Sequence, residues 1–479
     1  MHSCSKNSSC YFKSVVFDEL TPISVYTKLK DFFPNEVSML FESTISSENG
    51  NYSFVFIGAM EKVLHENGES FHFDENYNKT KLDKNPFIYL KKRYKDINDS
   101  FYKELSTKLD IGFIDGFVGC IGYDAIKLFE PKLIESMSEL EDDIQIPDIS
   151  LMRPKITIAY SHKSSTLTLI SFHKDYGLKI DEILSFLKQN YTFNEIKRTK
   201  IDKTKSHFAF NKKEYCDIVN DAKEMIRNGD IFQILLSNRF TQYANIDYLS
   251  FYRILRSKNP SPYAFLLDFG EFCIAGSSPE VMIALQNNTI TLRPIAGTRK
   301  RGKTKDKDKA LELELLSDDK EKAEHLMLID LGRNDVGRVA LTGSVKVSKM
   351  MRVERYSHVM HMVSDIEAKL DNDKDMFDLF AATFTAGTMT GAPKIRAMEL
   401  IAKYEKIKRS FYSGAVGYFG FDKNMDSCIM IRTAYIDKQR IIFQAGGGVV
   451  ADSVPELEYL EANNKLAALM SSLEDLNLE

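Results

Sequence analysis

Two pairs of glutamates carry the strongest chemical signal in this chain. Glu321 and Glu324 stand three residues apart, and so do Glu458 and Glu461. At helical spacing each pair projects from one face, so two helices each offer two carboxylates. Carboxylate oxygens suit Mg²⁺, which keeps several waters and takes part of its shell from a bound anion. Arg432 and the run Gly446-Gly447-Gly448 lie just before the second pair. A guanidinium gives a charge-assisted contact to a carboxylate. Glycines let backbone amides approach an anion, although the same run also suits a plain β-bulge. Together these residues point to an anionic ligand held with a metal ion. His358 and His361 would lie on opposite faces of a strand, so one of them can face a site as a proton donor.

The elements that must position these groups are legible in outline. Ile429, Ile431 and Thr433 alternate with Met430, Arg432 and Ala434, which predicts a strand with Arg432 on one face. RIIFQ reads as a second strand. Ser453 is the expected N-cap of the helix that carries Glu458 and Glu461, with Pro455 and Glu456 in its first turn. Ser317 is the expected N-cap of the helix that carries Glu321 and Glu324. Residues 14–190 read as short strands and helices with antiparallel pairing, including the hairpin ITIAYSHKSSTLTLISF. The lysine-rich stretch 194–210 is the best boundary, dividing 1–195 from 205–479. The basic run Arg299 to Lys309 reads as a solvated loop.

At 479 residues with 43% hydrophobic and 28% charged content, the chain is expected to be globular. A net charge of -4 argues against a dedicated nucleic-acid binder. No apolar run reaches membrane-spanning length, and no secretory signal pattern opens the chain. The 6 cysteines are scattered without a CxxC pair, so a reducing cytoplasm fits best.

PIAGTRKRG, KEKAEHLMLIDLGRNDVGRV, RYSHVMHMVSDIEA, FTAGTMTGAPKIRAMELI, YSGAVGYFGF, IRTA and AGGGVVADSVPELEYLE occur in that order. They resemble the chorismate-utilising enzymes, and among these the large subunits of anthranilate synthases. The similarity runs from about residue 20 to the C-terminus. It implies an α+β fold of large antiparallel sheets packed as a sandwich with helices outside. It also implies that Glu324 and Glu461 bind Mg²⁺ directly, with Glu321 and Glu458 beside them. Arg432, Tyr412 and the amides of Gly446 to Gly448 would hold the enolpyruvyl carboxylate of chorismate. Gly297 and Thr298 would contact substrate, and His361 would give general-acid help at the departing C4 hydroxyl. Two positions separate the branches. Ala296 stands where aminodeoxychorismate synthases commonly carry a lysine that can form an adduct. Gln233 stands where isochorismate and salicylate synthases carry a lysine base. Both favour ammonia as the nucleophile and anthranilate with pyruvate as products.

The sequence has no cysteine in a glutaminase nucleophile turn, and Cys120 reads as core. The resemblance therefore implies a separate glutamine amidotransferase subunit. It also implies feedback inhibition by tryptophan through Ser43 of LFES and Pro262, Tyr263 and Ala264 of NPSPYA, with Ala264 removing apolar volume from the effector pocket. The rival expectations are an aminodeoxychorismate synthase and a non-catalytic tryptophan-sensing paralogue. The latter should have lost its acidic ligands, which this chain retains.

Overall fold

The computed structural model describes residues 10–44, 52–83, 85–189, 194–355 and 359–478. His358 lies outside them. Two long strands, Tyr52–Glu66 and Ile149–Ser161, organise the rest. They pair antiparallel, with a register shift between Ala59 and Glu61. On either side of the shift they take different partners. Ser38–Glu42 and Thr166–Ser171 flank one end. Glu69–Phe73 and Gly116–Ile121 flank the other. A bulge at such a place lets strands pass from one layer of a sandwich to the next.

Two arms of sheet leave these strands. One runs through Tyr263–Asp268, Phe272–Ser278, Thr433–Asp437 and Arg440–Val449 to Gln233–Tyr243. The other runs through Ala415–Gly420, Met425–Ile429, Val281–Gln286 and Thr289–Leu292 to Val359–Lys369, which also pairs Ile295–Lys300. Among the described residues the arms join as one hydrogen-bonded network of 22 strands.

Alternate residues of single strands enter different cores. Phe54 and Phe56 face one core, while Val55 and Ile57 face the other. The first core lies between the arms, drawing Phe265 and Ile442 from one and Val416 and Met425 from the other. The second lies under the helices Pro22–Phe32, Ile180–Lys188, Tyr248–Lys258 and Pro455–Glu474. Strands buried on both faces explain why many read as continuous apolar runs. The arrangement is the expected α+β sandwich with outer helices.

Both cores draw on residues from either side of the lysine-rich stretch. Ser38–Glu42 pairs Tyr263–Asp268, and Gly116–Ile121 pairs Ala415–Gly420. The stretch itself is tied to the chain end, with Thr199 N donating to Leu476 O at 2.9 Å and Ile201 N to Asn477 Oδ1 at 2.8 Å. Cys120 is buried in the first core, as expected. Among the described residues no helix is long and apolar enough to cross a membrane.

Candidate active site

The two glutamate-bearing helices are Asp319–Gly337 and Pro455–Glu474. Their caps differ from expectation. Asp318, not Ser317, caps the first, accepting from Lys320 N and Glu321 N. Ser317 closes the preceding helix, Lys305–Ser317. An aspartate accepts these amides more strongly than a hydroxyl can. The second helix begins after Val454, with Pro455 in its first turn, while Ser453 Oγ turns back to accept from Val450 N at 3.0 Å. The run from Arg299 to Lys309 is also not a solvated loop. Arg299 pairs with Glu314, Asp318 and Glu321, and Arg301 with Asp308. Thr304 caps a helix that starts inside the run. Asp308, Glu314, Asp318 and Glu321 pair with the two arginines, while the lysines of the run stay exposed.

The helices bring their carboxylates together. Burial raises the Glu324 carboxyl first, then Glu321 beside it, and Glu461 on the other helix adds to the rise. Glu458 is raised by burial and by Glu461. Glu321 Oε1 is already held by Arg299 Nη1 at 2.9 Å, and Glu461 Oε1 by Lys465 Nζ at 2.8 Å. Glu458 Oε2 is buried without a hydrogen-bond partner. An orphaned carboxylate oxygen among mutually repelling carboxylates suits a divalent cation. Among the described residues no three acidic, histidine or cysteine side chains form a ready-made cage. Two carboxylates completed by water and a bound anion are what Mg²⁺ commonly takes.

Gln233 lies beside this acidic group, at the start of its strand. Its Nε2 donates to Glu324 Oε1 at 3.3 Å. The three glycines follow on the neighbouring strand, Arg440–Val449. They form extended backbone, neither a knot nor a bulge, with Gly446, Gly447 and Gly448 opposite Ser237, Leu236 and Leu235. Each is glycine for a spatial reason. A β-carbon on Gly446 would sit 2.0 Å from Leu236 O, one on Gly447 3.0 Å from Glu458 Oε2, and one on Gly448 2.5 Å from Gln233 Nε2. The Gly448 neighbour is a movable side-chain end, whereas the Gly446 neighbour is backbone. Gly448→Ala should therefore stay folded but push Gln233 off Glu324 and lower turnover about tenfold or more. Gly446→Ala should cost about 3 kcal/mol of stability. Thermal unfolding beside steady-state rates checks both.

Arg432 is not on a strand face. It lies between Met425–Ile429 and Thr433–Asp437 with φ 49°. A left-handed φ is uncommon for arginine and marks a position held by its surroundings. Its carbonyl accepts from Ser277 N at 3.1 Å. Its charge reaches both His361 and Glu280, lowering each. Tyr412 is buried, and the Arg409 guanidinium carbon lies 5.5 Å from the centre of its ring.

His361 sits opposite Thr298 across the pairing of Ile295–Lys300 with Val359–Lys369. A register shift between Ala296 and Thr298 leaves Gly297 at φ 64°, against Glu321. A β-carbon on Gly297 would lie 2.9 Å from Glu321 Oε2. His361 Nδ1 is 3.0 Å from Thr298 Oγ1 and 3.2 Å from Gly297 O. A carbonyl only accepts, so Nδ1 carries the proton and Nε2 is the acceptor in the neutral ring. Burial, reinforced by Arg432, lowers His361 to about 4. In the free protein its ring is neutral at pH 7.

Three residues that sequence reasoning passed over also belong here. Glu280 is buried between Phe272–Ser278 and Val281–Gln286, and burial raises its carboxyl to about 7. Thr388 Oγ1 donates to it at 2.9 Å. Lys465 Nζ also donates to Gly446 O at 2.8 Å. Only Lys465 had a local signal, its spacing of four from Glu461.

The residue set for an effector also meets in space. Ser43 follows Ser38–Glu42, whose Glu42 stands opposite Ala264. Tyr263 donates from its hydroxyl to Asp426 Oδ1 at 3.1 Å, and Ala264 is fully buried. Pro262 precedes them, half-buried.

The profile of a family described as chorismate binding enzyme matches residues 38–471 of this sequence. The chain belongs to the chorismate-binding enzymes. It is similar to anthranilate synthase component 1 of Aquifex aeolicus, 39% identical over 97% of this chain and 94% of the relative. The protein of the same description from Acetivibrio thermocellus is 38% identical, over 96% and 94%. Among solved structures, anthranilate synthase component I from Streptococcus pneumoniae aligns with a TM-score of 0.76 at 33% identity, covering 89% of this chain and 93% of that one. The menaquinone-specific isochorismate synthase of Escherichia coli shares the fold, with a TM-score of 0.71 at 18% identity. Thus the chorismate-binding fold accommodates the glutamates of two helices, a histidine from one arm of the sheet and a glycine strand from the other around one site.

Proposed function

We propose that this chain is the chorismate-converting component of an anthranilate synthase. It would take chorismate and ammonia to anthranilate, pyruvate and water, the first committed step toward tryptophan. One observation carries the choice of nucleophile: Gln233, hydrogen-bonded to Glu324. An amide cannot take a proton from water at neutral pH, whereas ammonia attacks without a base. Ala296 offers no amine for a competing covalent adduct.

Glu324 and Glu461 would hold Mg²⁺, with Glu321 and Glu458 beside them. The bound ion would offset the charge of the ring carboxylate and polarise the ring. Arg432 supplies positive charge for the enolpyruvyl carboxylate, with Tyr412 and the glycine strand as its hydrogen-bonding wall. Gly297 and Thr298 line the ring. Loss of the C4 hydroxyl as water requires a proton. The neutral tautomer of His361 has no proton to give from Nε2. Two incoming substrate carboxylates would favour its protonation, and His361 then serves the departing hydroxyl. Glu280, protonated up to about pH 7, is a second proton store within reach of Arg432. Ammonia is scarce at neutral pH, so a glutamine amidotransferase subunit would supply it. A cytoplasmic location fits such a partnership.

The purified chain, given chorismate, Mg²⁺ and an ammonium salt at mildly alkaline pH, should yield anthranilate and pyruvate, and a chelator should stop both. Aminodeoxychorismate without pyruvate would replace this reading with that of the sister branch. No turnover, with or without an amidotransferase, would leave the non-catalytic paralogue.

Tryptophan would bind where Ser43, Pro262, Tyr263 and Ala264 meet. Ser43→Ala should raise the tryptophan concentration for half-inhibition by about tenfold, the worth of one hydrogen bond of ~1.4 kcal/mol. Turnover at saturating ammonia should stay the same. Unchanged inhibition would remove Ser43 from the effector site.

A further inference from the structure

Among the described residues Arg409 is the largest fully buried side chain, 1% exposed. No reacting group needs it directly, yet its guanidinium is almost fully used. Nε donates to Glu405 Oε2 at 2.8 Å, and Nη2 donates to Glu405 Oε1 at 2.6 Å. Nη2 also donates to Leu235 O at 2.9 Å, and Nη1 to Met389 O at 2.8 Å. Its guanidinium carbon lies 4.9 Å from the centre of the Tyr123 ring and 5.5 Å from that of the Tyr412 ring. Glu405 Oε1 in turn accepts from Ser237 N at 2.9 Å and Ser237 Oγ at 2.8 Å.

Each of these partners adjoins a site group. Leu235 is two residues from Gln233, and Met389 follows Thr388, which holds Glu280. Ser237 stands opposite Gly446, whose carbonyl accepts from Lys465 Nζ. One planar fork thus links two backbone segments, Glu405 and two aromatic rings. A buried ion pair is a poor device for stability, because well-packed apolar groups often do as well or better. Its geometry is what apolar groups cannot copy. Lysine would keep the charge near Glu405 but offers one point in place of a fork.

We infer that Arg409, held by Glu405, is a positioning residue that sets Tyr412 and the Gln233 end of its strand for chorismate. The inference rests on the reading above that Tyr412 contacts substrate.

The test is a cycle of Arg409→Lys, Tyr412→Phe and the double variant, with the chorismate KM and kcat read alongside thermal unfolding. Arg409→Lys should raise KM about tenfold or more with kcat changed less than about threefold, the pattern of lost substrate binding. Tyr412→Phe should also raise KM. The double variant should match the larger single effect, since both changes act through one contact. A lower melting temperature with unchanged KM in Arg409→Lys overturns the inference, as do effects that multiply. No change of KM in Tyr412→Phe removes Tyr412 from the substrate site, and the inference falls with it. If Arg409→Lys does not fold, Ser237→Ala cuts one link of the same clamp. It should raise KM about threefold, and no rise counts against the clamp.

Discussion

Glu324→Gln and Glu461→Gln are each expected to lower Mg²⁺-dependent turnover by about a thousandfold or more, with the fold intact. A thousandfold is about 4 kcal/mol of transition-state stabilisation, the scale of several kcal/mol that a bound metal supplies. Each glutamine keeps the shape of the side chain and removes one anionic oxygen. The structure says why folding should survive. Glu321 and Glu461 both add to the rise of the Glu324 carboxyl, so the free protein holds a carboxylate that its neighbours repel. Removing one charge relieves that repulsion. The melting temperature without metal should therefore hold or rise, and Mg²⁺ should protect the variants from unfolding less than it protects the parent. Full Mg²⁺-dependent turnover in either variant would end the metal assignment. The two should also differ. Glu461 is 51% exposed and tied to Lys465, while Glu324 is half-buried. Glu324→Gln should thus be the more damaging, because a less exposed charge is screened less by solvent.

The fold was legible because its strands are long and two-sided. Alternation along Tyr52–Glu66 and Ile149–Ser161 follows from the pleat, and antiparallel pairing follows from the short turns between strands. The paired glutamates were legible for a similar reason: i, i+3 spacing on a helix is a local rule. What the sequence did not reveal depends on neighbours far along the chain. Arg432 fits an alternating pattern, yet its backbone turns left-handed there, and no local signal marks that break. Gly446 to Gly448 looked like a loop that wraps an anion. They are a strand stripped of side chains, because Leu236, Glu458 and Gln233 occupy the space. Glu280, just before VMIAL, carries no local signal. Its burial comes from packing between two strands and from Thr388, 108 residues away.

Glu280→Gln should lower kcat/KM by a factor of about a hundred to ten thousand, the range of a lost general acid or base. More diagnostic is the pH profile. The carboxyl of Glu280 is raised to about 7 by burial, against the partial opposition of Thr388, Lys465 and Arg432. As a proton donor it works when protonated, so its contribution to kcat/KM is complete at low pH and fades as pH rises through about 7. The supply of free ammonia changes in the opposite direction. At a constant concentration of free ammonia the parent should lose kcat/KM as pH rises through about 7, and Glu280→Gln should lack that descending limb. Stability gives an independent reading with its own sign. A carboxyl whose folded value lies above its unfolded one binds its proton more tightly in the folded state. Its favourable contribution is fully present below about pH 4.5 and is lost as pH rises to about 7. The parent should therefore lose stability relative to Glu280→Gln across that window, by about 3 kcal/mol at most. A variant that keeps the descending limb would show that another group donates the proton. A variant that loses the limb but shows no stability difference would place the perturbation in the substrate complex, where Arg432 would meet the enolpyruvyl carboxylate.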